Sequence, residues 1–308
     1  MTGKISSAAP ASEPEAPGRP AGGWGKLRVI LEMIKFEHTL FALPFALMAT
    51  LLAAGGVPEL RVLFWILVAM VGARSAAMAF NRLADQRYDA LNPRTAARAL
   101  PAGQLTPAQV WVFVGCTVLL FVLAAWMLNP LAGALAPVAL AIVLGYSYTK
   151  RFTPFCHLVL GLALGIAPSA AWIAVRGSLG WPATLLSAAV LLWAGGFDIL
   201  YSCQDVEFDR QQGLHSIPSR IGIPAALRVS RVMHTVVVLL LLLLPSVVSL
   251  GGVYLAGVAV VTALLAYEHS LVRADDLSRV NAAFFTVNGF VSISLFVFTA
   301  LDVFLRRR

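Results

Sequence analysis

Long apolar segments recur along most of this chain, and they restrict it to one class of fold. Nine of them, each near the length of a membrane-crossing helix, lie between residues 27 and 304. Hydrophobic residues make up 59% of the chain and charged residues only 12%, whereas a soluble domain carries about 25% charged residues. A helix crosses the hydrocarbon core with about 20 mostly apolar residues. The sequence therefore predicts an all-α integral membrane protein with nine transmembrane helices.

The apolar segments also predict the domain organisation. Residues 1–25 are rich in Ala, Pro, Ser, Gly and Glu without apolar periodicity, which is typical of a disordered tail. Residues 26–308 are predicted to form a single membrane domain. The spans are expected at residues 27–54, 62–83, 108–128, 132–148, 155–175, 182–203, 229–249, 253–267 and 282–304.

The charge distribution predicts the orientation and excludes one function class. The net charge is +8, but most Arg and Lys residues fall in the loops after spans two, four, six and eight. The loops on the opposite side hold only Arg61 and Arg176, and the run Arg306–Arg308 is the one disagreement. This is the positive-inside pattern, so we expect the N-terminal side to be cytoplasmic and expect no nucleic-acid partner. The three cysteines are scattered and predict neither a disulfide framework nor a metal cluster.

Oxygen-bearing side chains follow span two at helical spacing. Asn81, Asp85 and Asp89 lie at i, i+4 and i+8, which places them on one face if the helix continues. Two neighbouring carboxylates at a membrane boundary repel each other and lose solvation, so they favour a cation. We interpret this stretch as half of a Mg²⁺–diphosphate site.

A second acidic stripe follows span six. Asp198, Tyr201, Asp205 and Asp209 lie at positions 0, +3, +7 and +11 of a predicted helix that Gly213 is expected to end. Both stripes lie on the same predicted side of the membrane. Single boundary acids often pair with loop arginines and hold a bundle together, but two repeated stripes favour a site that binds Mg²⁺ with phosphate oxygens.

Basic residues accompany both stripes, and they fit an anionic ligand. A diphosphate carries several negative charges, and arginine binds it through two parallel hydrogen bonds. The alternative for these residues is contact with lipid headgroups. The candidates nearest the stripes are Arg94, Arg98, Lys150, Arg151 and Arg210.

Arg74 lies within span two, seven residues before Asn81 and roughly 10 Å deeper on the same face. A buried arginine needs an anionic partner. Two partners remain open: the carboxylate of an acceptor substrate, or a structural pair with Asp198 or an acid of span one. His38, a lone histidine near the end of span one, favours a structural role.

The two acidic motifs and their flanks resemble the UbiA-type intramembrane aromatic prenyltransferases. The flanks that agree include Asn92-Pro93-Arg94-Thr95, Tyr146-Ser147-Tyr148-Thr149-Lys150-Arg151 and Gly213-Leu214-His215-Ser216-Ile217-Pro218. They look most like the 4-hydroxybenzoate polyprenyltransferases and their relatives in menaquinone synthesis. The resemblance implies nine helices around a central cavity with cytoplasmic cap loops, Mg²⁺ between the two motifs, and a polyprenyl tail that leaves toward lipid. Some members carry Asp directly after the first Asn, whereas this chain has Arg82, which makes Arg82 a candidate phosphate contact.

The residues and the resemblance together predict Mg²⁺-assisted transfer of a polyprenyl group from polyprenyl diphosphate to an aromatic acid in ubiquinone or menaquinone biosynthesis. The expected partners are these two substrates and membrane lipid, and nothing calls for an obligatory protein partner. The candidate catalytic residues are Asp198, Arg74 and Tyr201. The candidate diphosphate-binding residues are Arg82, Arg94, Arg98, Lys150, Arg151 and Arg210. The candidate Mg²⁺ ligands are Asn81, Asp85, Asp89, Asp205 and Asp209.

In this hypothesis Asp198 orients the acceptor or takes the ring proton, and Tyr146 and Tyr201 stabilise the allylic cation. A secondary transporter is the main alternative, because paired boundary acids also suit proton or cation coupling. It does not explain long polar loops on one side only, with basic residues beside the acids. A structural scaffold ranks last, since it predicts that the acids can be replaced freely.

Overall fold

The computed structural model describes residues 22–34 and 39–306, and over these ranges the chain is helical with no strand. Most of the predicted tail and His38 lie outside the described residues. Residues 22–25, which we placed in the tail, begin the first helix, α1 (Gly22–Met33). The helix α2 (Thr39–Ala54) follows, with Pro44 inside it.

Eight helical segments of the described chain are long and apolar enough to cross a membrane. The predicted count of nine is off by one, because Lys35, Glu37 and His38 interrupt the apolar run of the first span and α2 has only 16 residues. The other spans lie within a few residues of their predicted positions, except that the seventh begins at Ile223. These helices are α3 (Leu60–Ala84), α5 (Pro107–Leu128), α6 (Pro130–Thr149), α7 (Cys156–Arg176), α8 (Trp181–Ser202), α11 (Ile223–Leu243), α12 (Gly252–Leu271), and α13 (Val280–Ala282) joined to α14 (Asn288–Leu305).

Short helices occupy the polar connections, as α4 (Gln86–Leu91), α9 (Val206–Gln211) and α10 (Ile217–Ile221). Local sequence explains where helices begin and end. Thr106 and Gln109 form a capping box at the start of α5, with Pro107 in the first turn. Asn129 accepts a hydrogen bond from the Ala132 backbone N–H at 2.9 Å and begins α6. Gly177 ends α7 with φ 67°, a conformation that favours glycine.

The main core lies where α2, α7, α8, α11, α12 and α14 meet, with Trp193 and Phe197 of α8 almost fully buried. A smaller cluster joins α1 to α3 and α5 through Met33, Met78 and Val110. Large apolar side chains such as Trp111, Leu119 and Trp126 are exposed along α5. Such a surface suits contact with lipid, so the composition and the packing agree on a membrane protein.

Close approach of α7 and α8 depends on glycine. A Cβ built on Gly161 collides with the carbonyl oxygen of Leu191 and lies 3.1 Å from the Gly195 nitrogen. Small residues allow membrane helices to pack backbone against backbone. This contact fixes the relative height of α7 and α8, the helices that carry His157 and Asp198.

We expect Gly161→Ala to lower the melting temperature of the detergent-solubilised protein, because backbone atoms must move to admit the methyl group; the cost is about 1–3 kcal/mol. Gly115→Ala is the matched control, since a Cβ there meets nothing within 4 Å. Thermal unfolding of both variants tests this. Equal melting temperatures for the two would contradict the close contact.

Candidate active site

A polar cavity of about 280 Å³ opens on the side of the bundle where α3, α6 and α8 end and α7 begins. Six of its lining residues are Arg or Lys and four are Asp, so basic groups outnumber acidic ones. An excess of positive charge beside carboxylates suits a ligand that is itself strongly negative. The charged lining residues are Arg74, Arg82, Arg94, Arg98, Lys150, Arg151, Asp85, Asp89, Asp198 and Asp205.

The first acidic stripe lies on two helices instead of one. Helix α3 ends at Ala84, and Asp85 has φ −96° and ψ 7° before α4 begins. Hydrogen bonds four residues back continue through the break, from Asp85 N to Asn81 O (2.9 Å) and from Asp89 N to Asp85 O (2.8 Å). The Asn81 amide also donates to the Asp85 carboxylate at 3.0 Å. The break keeps Asn81 and Asp85 together and leaves Asp89 buried.

The second stripe breaks in the same way. Helix α8 ends at Ser202, a short 3₁₀ turn follows, and Asp205 has φ −103° and ψ 7° before α9 begins. The prediction of one continuous helical face was therefore wrong beyond Asp205. The predicted stop is confirmed, since α9 ends at Gln211 and Gly213 has φ 66°.

Asp205 joins the two halves of the site. Arg94 contacts its two carboxylate oxygens at 2.6 and 3.2 Å, and the Asn92 amide donates to it at 3.2 Å. Arg94 also donates to the Tyr201 hydroxyl at 2.9 Å. Burial lowers the pKa of Arg94, but Asp205 and Tyr201 outweigh it and hold that pKa above its ordinary value. Arg94 is therefore a fixed positive charge at the cavity mouth.

Asp89 lies between two arginines. Arg98 contacts one carboxylate oxygen at 2.6 Å, and Arg82 lies 3.9 Å from the other. That second oxygen is buried and accepts no hydrogen bond from a described residue. Arg82 is itself buried and donates to Asn81 at 3.3 Å. The residue that departs from the acidic pattern therefore lines the cavity and compensates Asp89.

Asp85 is less well compensated than its neighbours. Its nearest cation is Arg151, 3.7 Å away, whose guanidinium lies over the Tyr148 ring and donates to the Ala84 carbonyl. Burial raises the pKa of Asp85, and the negative charge of Asp89 raises it further against the opposing Arg151. The cavity is therefore short of positive charge at Asp85.

The structure does not bring two of the candidate residues to the cavity. Asp209 has no exposed surface, and its carboxylate contacts Lys150 Nζ at 2.7 Å and accepts from the Ser216 hydroxyl at 2.8 Å. Arg210 is half exposed and contacts Glu207 at 3.4 Å. Both lie on α9, after the break at Asp205, and neither lines the cavity, although Phe208 of the same helix does. Asp209 instead holds Lys150: burial lowers the Lys150 pKa, and Asp209 more than restores it.

Asp198 has a partner that the sequence did not suggest. His157 Nδ1 lies 2.6 Å from its carboxylate, and His157 Nε2 accepts from the Ile217 backbone N–H at 3.3 Å. The backbone contact leaves Nδ1 as the donor to Asp198. Arg74 makes no ion pair with Asp198, and its buried Nε has no hydrogen-bond partner among the described residues. Of the structural partners left open for Arg74, Asp198 is therefore excluded. Of the acids of span one, Glu32 pairs with Arg28, and Glu37 lies outside the described residues.

Sequence reasoning missed His157 and Asn92 as site residues. Asn92 stood in a flank that we quoted, and its position directly before Pro93-Arg94 was the available signal. His157 is a single histidine at the start of α7, with no second residue at helical spacing to mark it. Its role appears only when α7 and α8 are packed together.

The donor atoms that face the cavity fit Mg²⁺. Within the described ranges no group of three or more His, Cys, Asp or Glu side chains converges as a complete metal cage. Mg²⁺ does not need one, since it takes one or two carboxylates and fills its octahedron with water and phosphate oxygens. Asp85, Asp89 and Asp205 offer hard oxygen donors. The second oxygen of Asp89 accepts no hydrogen bond from a described residue.

Protonation of Asp85 gives a stability test. A carboxyl group with a raised pKa binds its proton more tightly in the folded than in the unfolded chain, so its charge lowers the free energy of unfolding at neutral pH. That loss of stability disappears as the pH falls through the raised pKa of Asp85, because the carboxyl group becomes neutral. We expect Asp85→Asn to raise the melting temperature at neutral pH without divalent cations, by a few degrees or about 1 kcal/mol, and to change it little in acid.

Asp209→Asn is the control for this measurement, because one oxygen of Asp209 contacts Lys150 Nζ and the other accepts from Ser216. It should lower the melting temperature, since the variant removes the carboxylate that faces the Lys150 ammonium group. A decrease for both variants at neutral pH would show that the charge of Asp85 is satisfied in the folded protein.

Comparison with known proteins agrees with the fold and gives the family. The pattern of the UbiA prenyltransferase family matches residues 42–292. The 4-hydroxybenzoate octaprenyltransferase of Aeromonas salmonicida (strain A449) is 31% identical over 87% of this chain and 92% of that protein. The enzyme of the same name from Xanthomonas campestris pv. campestris (strain B100) is 33% identical over 83% of this chain and 84% of that protein.

Solved structures share the architecture. The UbiA homologue from Aeropyrum pernix K1, solved in its apo form, is 34% identical, with a TM-score of 0.79 over 86% of this chain and 98% of that chain. The UbiA homologue from Archaeoglobus fulgidus bound to DMAPP and Mg²⁺ is 18% identical, with a TM-score of 0.69 over 90% and 99% of the two chains, and shares the fold. The family match covers most of the chain, which removes the case for a transporter or a scaffold: this chain is a membrane prenyltransferase of the UbiA family.

Proposed function

We propose that this chain transfers a polyprenyl group from polyprenyl diphosphate to the ring of 4-hydroxybenzoate or a similar aromatic acid, in ubiquinone or menaquinone biosynthesis. The observation that carries the proposal is the arrangement of charge in one cavity. Basic residues outnumber acids at the mouth, and Arg74 lies deeper with an unpaired Nε among the described residues. One cavity thus offers separate places for a diphosphate and for a carboxylate.

The mouth of the cavity suits the diphosphate. Arg82, Arg94, Arg98, Lys150 and Arg151 line it, and arginine matches phosphate oxygens through paired hydrogen bonds. Three of them lie beside carboxylates of the cavity: Arg94 beside Asp205, Arg98 beside Asp89, and Arg151 3.7 Å from Asp85. A bound diphosphate would take over these basic groups and free the carboxylates for cations, so donor and metal are expected to bind together.

Asp85, Asp89 and Asp205, with the amide oxygen of Asn81, are the residues that would hold Mg²⁺. When bound, the ion neutralises negative charge on the departing diphosphate. The fold that holds DMAPP and Mg²⁺ in the Archaeoglobus fulgidus homologue is the fold of this chain. Asp209, buried against Lys150, is expected to position that lysine without contacting the metal.

An apolar chamber of about 130 Å³ suits the polyprenyl tail. It adjoins the polar cavity, and Arg74, Tyr146, Leu160 and Leu164 line both. Its remaining wall is mostly alanine, contributed by α3 and α7, with Phe121 and Val143. Isoprene units gain free energy on leaving water for such a surface. With this shared wall, the first carbons of a bound tail would lie beside the residues proposed for the acceptor.

The acceptor is expected between Arg74 and Asp198. Arg74 would hold its carboxylate, and Asp198 would orient the phenol or receive the ring proton. In the reaction the C–O bond to the diphosphate breaks with its electron pair on the diphosphate. A ring carbon then attacks the allylic cation and loses its proton. His157 donates to one oxygen of Asp198 and leaves the other for the acceptor.

The location of the reaction is part of the same proposal. The loops that carry the cavity residues hold most of the basic side chains, which by the positive-inside pattern lie in the cytoplasm. We therefore place the enzyme in the bacterial cytoplasmic membrane, with its active site facing the cytoplasm.

Prenyl transfer in membranes, with a labelled polyprenyl diphosphate, tests the proposal. We expect 4-hydroxybenzoate to be prenylated in preference to menaquinone-pathway acids. Asp85→Ala and Asp205→Ala should each lower the rate by about 100-fold, as expected when an electrostatic group is removed from such a site. Glu207→Ala is the control, since Glu207 lies on the same side but is exposed outside the cavity. Wild-type rates in either Asp variant would contradict the metal site.

The role of Arg74 has its own test. Arg74→Ala should raise the KM for the aromatic acid by about tenfold or more, because a charge-assisted hydrogen bond is lost, and should change the donor KM little. Arg210→Ala, outside the cavity, is the matched control. The KM of a phenol without the carboxylate should not respond to Arg74→Ala. Equal increases in both KM values would remove the carboxylate role.

A further inference from the structure

A buried polar network lies in the middle of the bundle, away from the charged cavity. Asn288, at the start of α14, is fully buried, as is Glu268 of α12, and Trp193 of α8 is almost so. The Asn288 amide accepts from Trp193 Nε1 at 2.7 Å and donates to Glu268 at 2.7 Å. One side chain thus joins three membrane helices. Polar groups buried at such depth cost free energy, and in membrane proteins they usually have a functional role.

The network is tied to an irregular stretch of backbone. Residues 283–287 form a single π-helical turn between α13 and α14, and such turns recur at functional sites. The Asn288 amide also donates to the carbonyls of Ala283 and Phe284, both at 3.2 Å. Backbone carbonyls inside a membrane need internal partners. Asn288 therefore stabilises the widened turn from inside the bundle.

This turn presents an aromatic side chain to the active site. The Phe284 ring lies 4.3 Å from the Tyr201 ring and 5.1 Å from the Phe197 ring, measured between centroids. All three rings line the polar cavity. Tyr201 in turn accepts from Arg94, the residue that contacts Asp205. The aromatic wall formed by Phe197, Tyr201 and Phe284 thus contacts, through Tyr201, one of the residues proposed for the diphosphate.

Trp193 connects the network to the aromatic wall through Phe197. Its indole ring packs edge-on against Phe197 at 4.9 Å, and Phe197 directly precedes Asp198. A shift of the indole would therefore move the Phe197 ring, which lines the cavity. The hydrogen bond to Asn288 is the polar contact that fixes the indole ring.

We propose that Asn288 is a positioning residue: through Trp193, Glu268 and the π turn it holds Phe284 and Phe197 against the reacting carbon and keeps water from the allylic cation. This rests on the proposed function, because it needs that cation to form. The face of an aromatic ring attracts a cation, and a wall of such rings excludes water from it. A cation that meets water instead of the acceptor ring gains the water oxygen, releases a proton and becomes a prenyl alcohol.

The ratio of prenylated acceptor to prenyl alcohol reports this role, because a purely structural defect lowers both products together. We expect Asn288→Leu, which keeps the size of the side chain and removes its hydrogen bonds, to raise the alcohol fraction about fivefold or more. Trp193→Phe removes one donor and keeps an aromatic ring, so it should raise the fraction less. Glu268→Gln keeps an oxygen acceptor for Asn288 and should preserve the wild-type ratio.

Thr299→Val is the matched control, because Thr299 is buried on the same helix and donates to the Leu295 carbonyl far from the turn. An unchanged ratio in Asn288→Leu and Trp193→Phe, with rates that fall as in Thr299→Val, would overturn the positioning role. If Asn288→Leu does not fold, Trp193→Phe decides the question. The wild-type protein in the same assay tests the proposed function separately, since absence of any prenylated acceptor there would contradict that function alone.

Discussion

The active site depends on ion pairs that join Asp205 and Asp85 to arginines of other segments of the chain. Asp205 follows α8 and is held by Arg94, which follows α4, while Asp85 follows α3 and faces Arg151, which follows α6. Unpaired charges at this depth would cost several kcal/mol each. The ion pairs therefore bring two distant segments together and assemble, without a ligand, the groups that a metal and a diphosphate would share.

Apolar length and spacing predicted most of the fold and the acidic residues of the site, because membrane helices obey a simple length rule. The breaks at Asp85 and Asp205 were not predictable in this way, since spacing assumes a continuous helix. Both residues have nearly the same dihedral angles, near −100° and 7°. The residues after the two breaks nevertheless differ: Asp89 lines the cavity, whereas Asp209 is buried against Lys150 and Ser216. His157 was missed because its partner, Asp198, lies on another helix.

The cavity has a charged part and an apolar part, which suit different steps of the reaction. Charged residues surround its mouth, and aromatic rings, alanine and a single deep arginine surround its interior. A diphosphate leaving group and an allylic cation need these two environments next to each other, because the first is stabilised by charge and the second must avoid water. The Asn288 network borders the second environment, since Phe197 and Phe284 line the cavity.

Arg82 gives Asp85 and Asp89, the two acids of the first motif, different surroundings. Where some family members carry a carboxylate, this chain places a buried guanidinium beside Asp89. Asp89 then faces two arginines, Arg82 and Arg98, whereas Asp85 has only Arg151 at 3.7 Å. A cation gains most where negative charge is least compensated, so we expect Asp85 to be the stronger ligand of a bound metal and Asp89 chiefly to orient the two arginines. Arg82 would in this way shift metal binding toward Asp85, and it would add a positive charge for a phosphate beside that site.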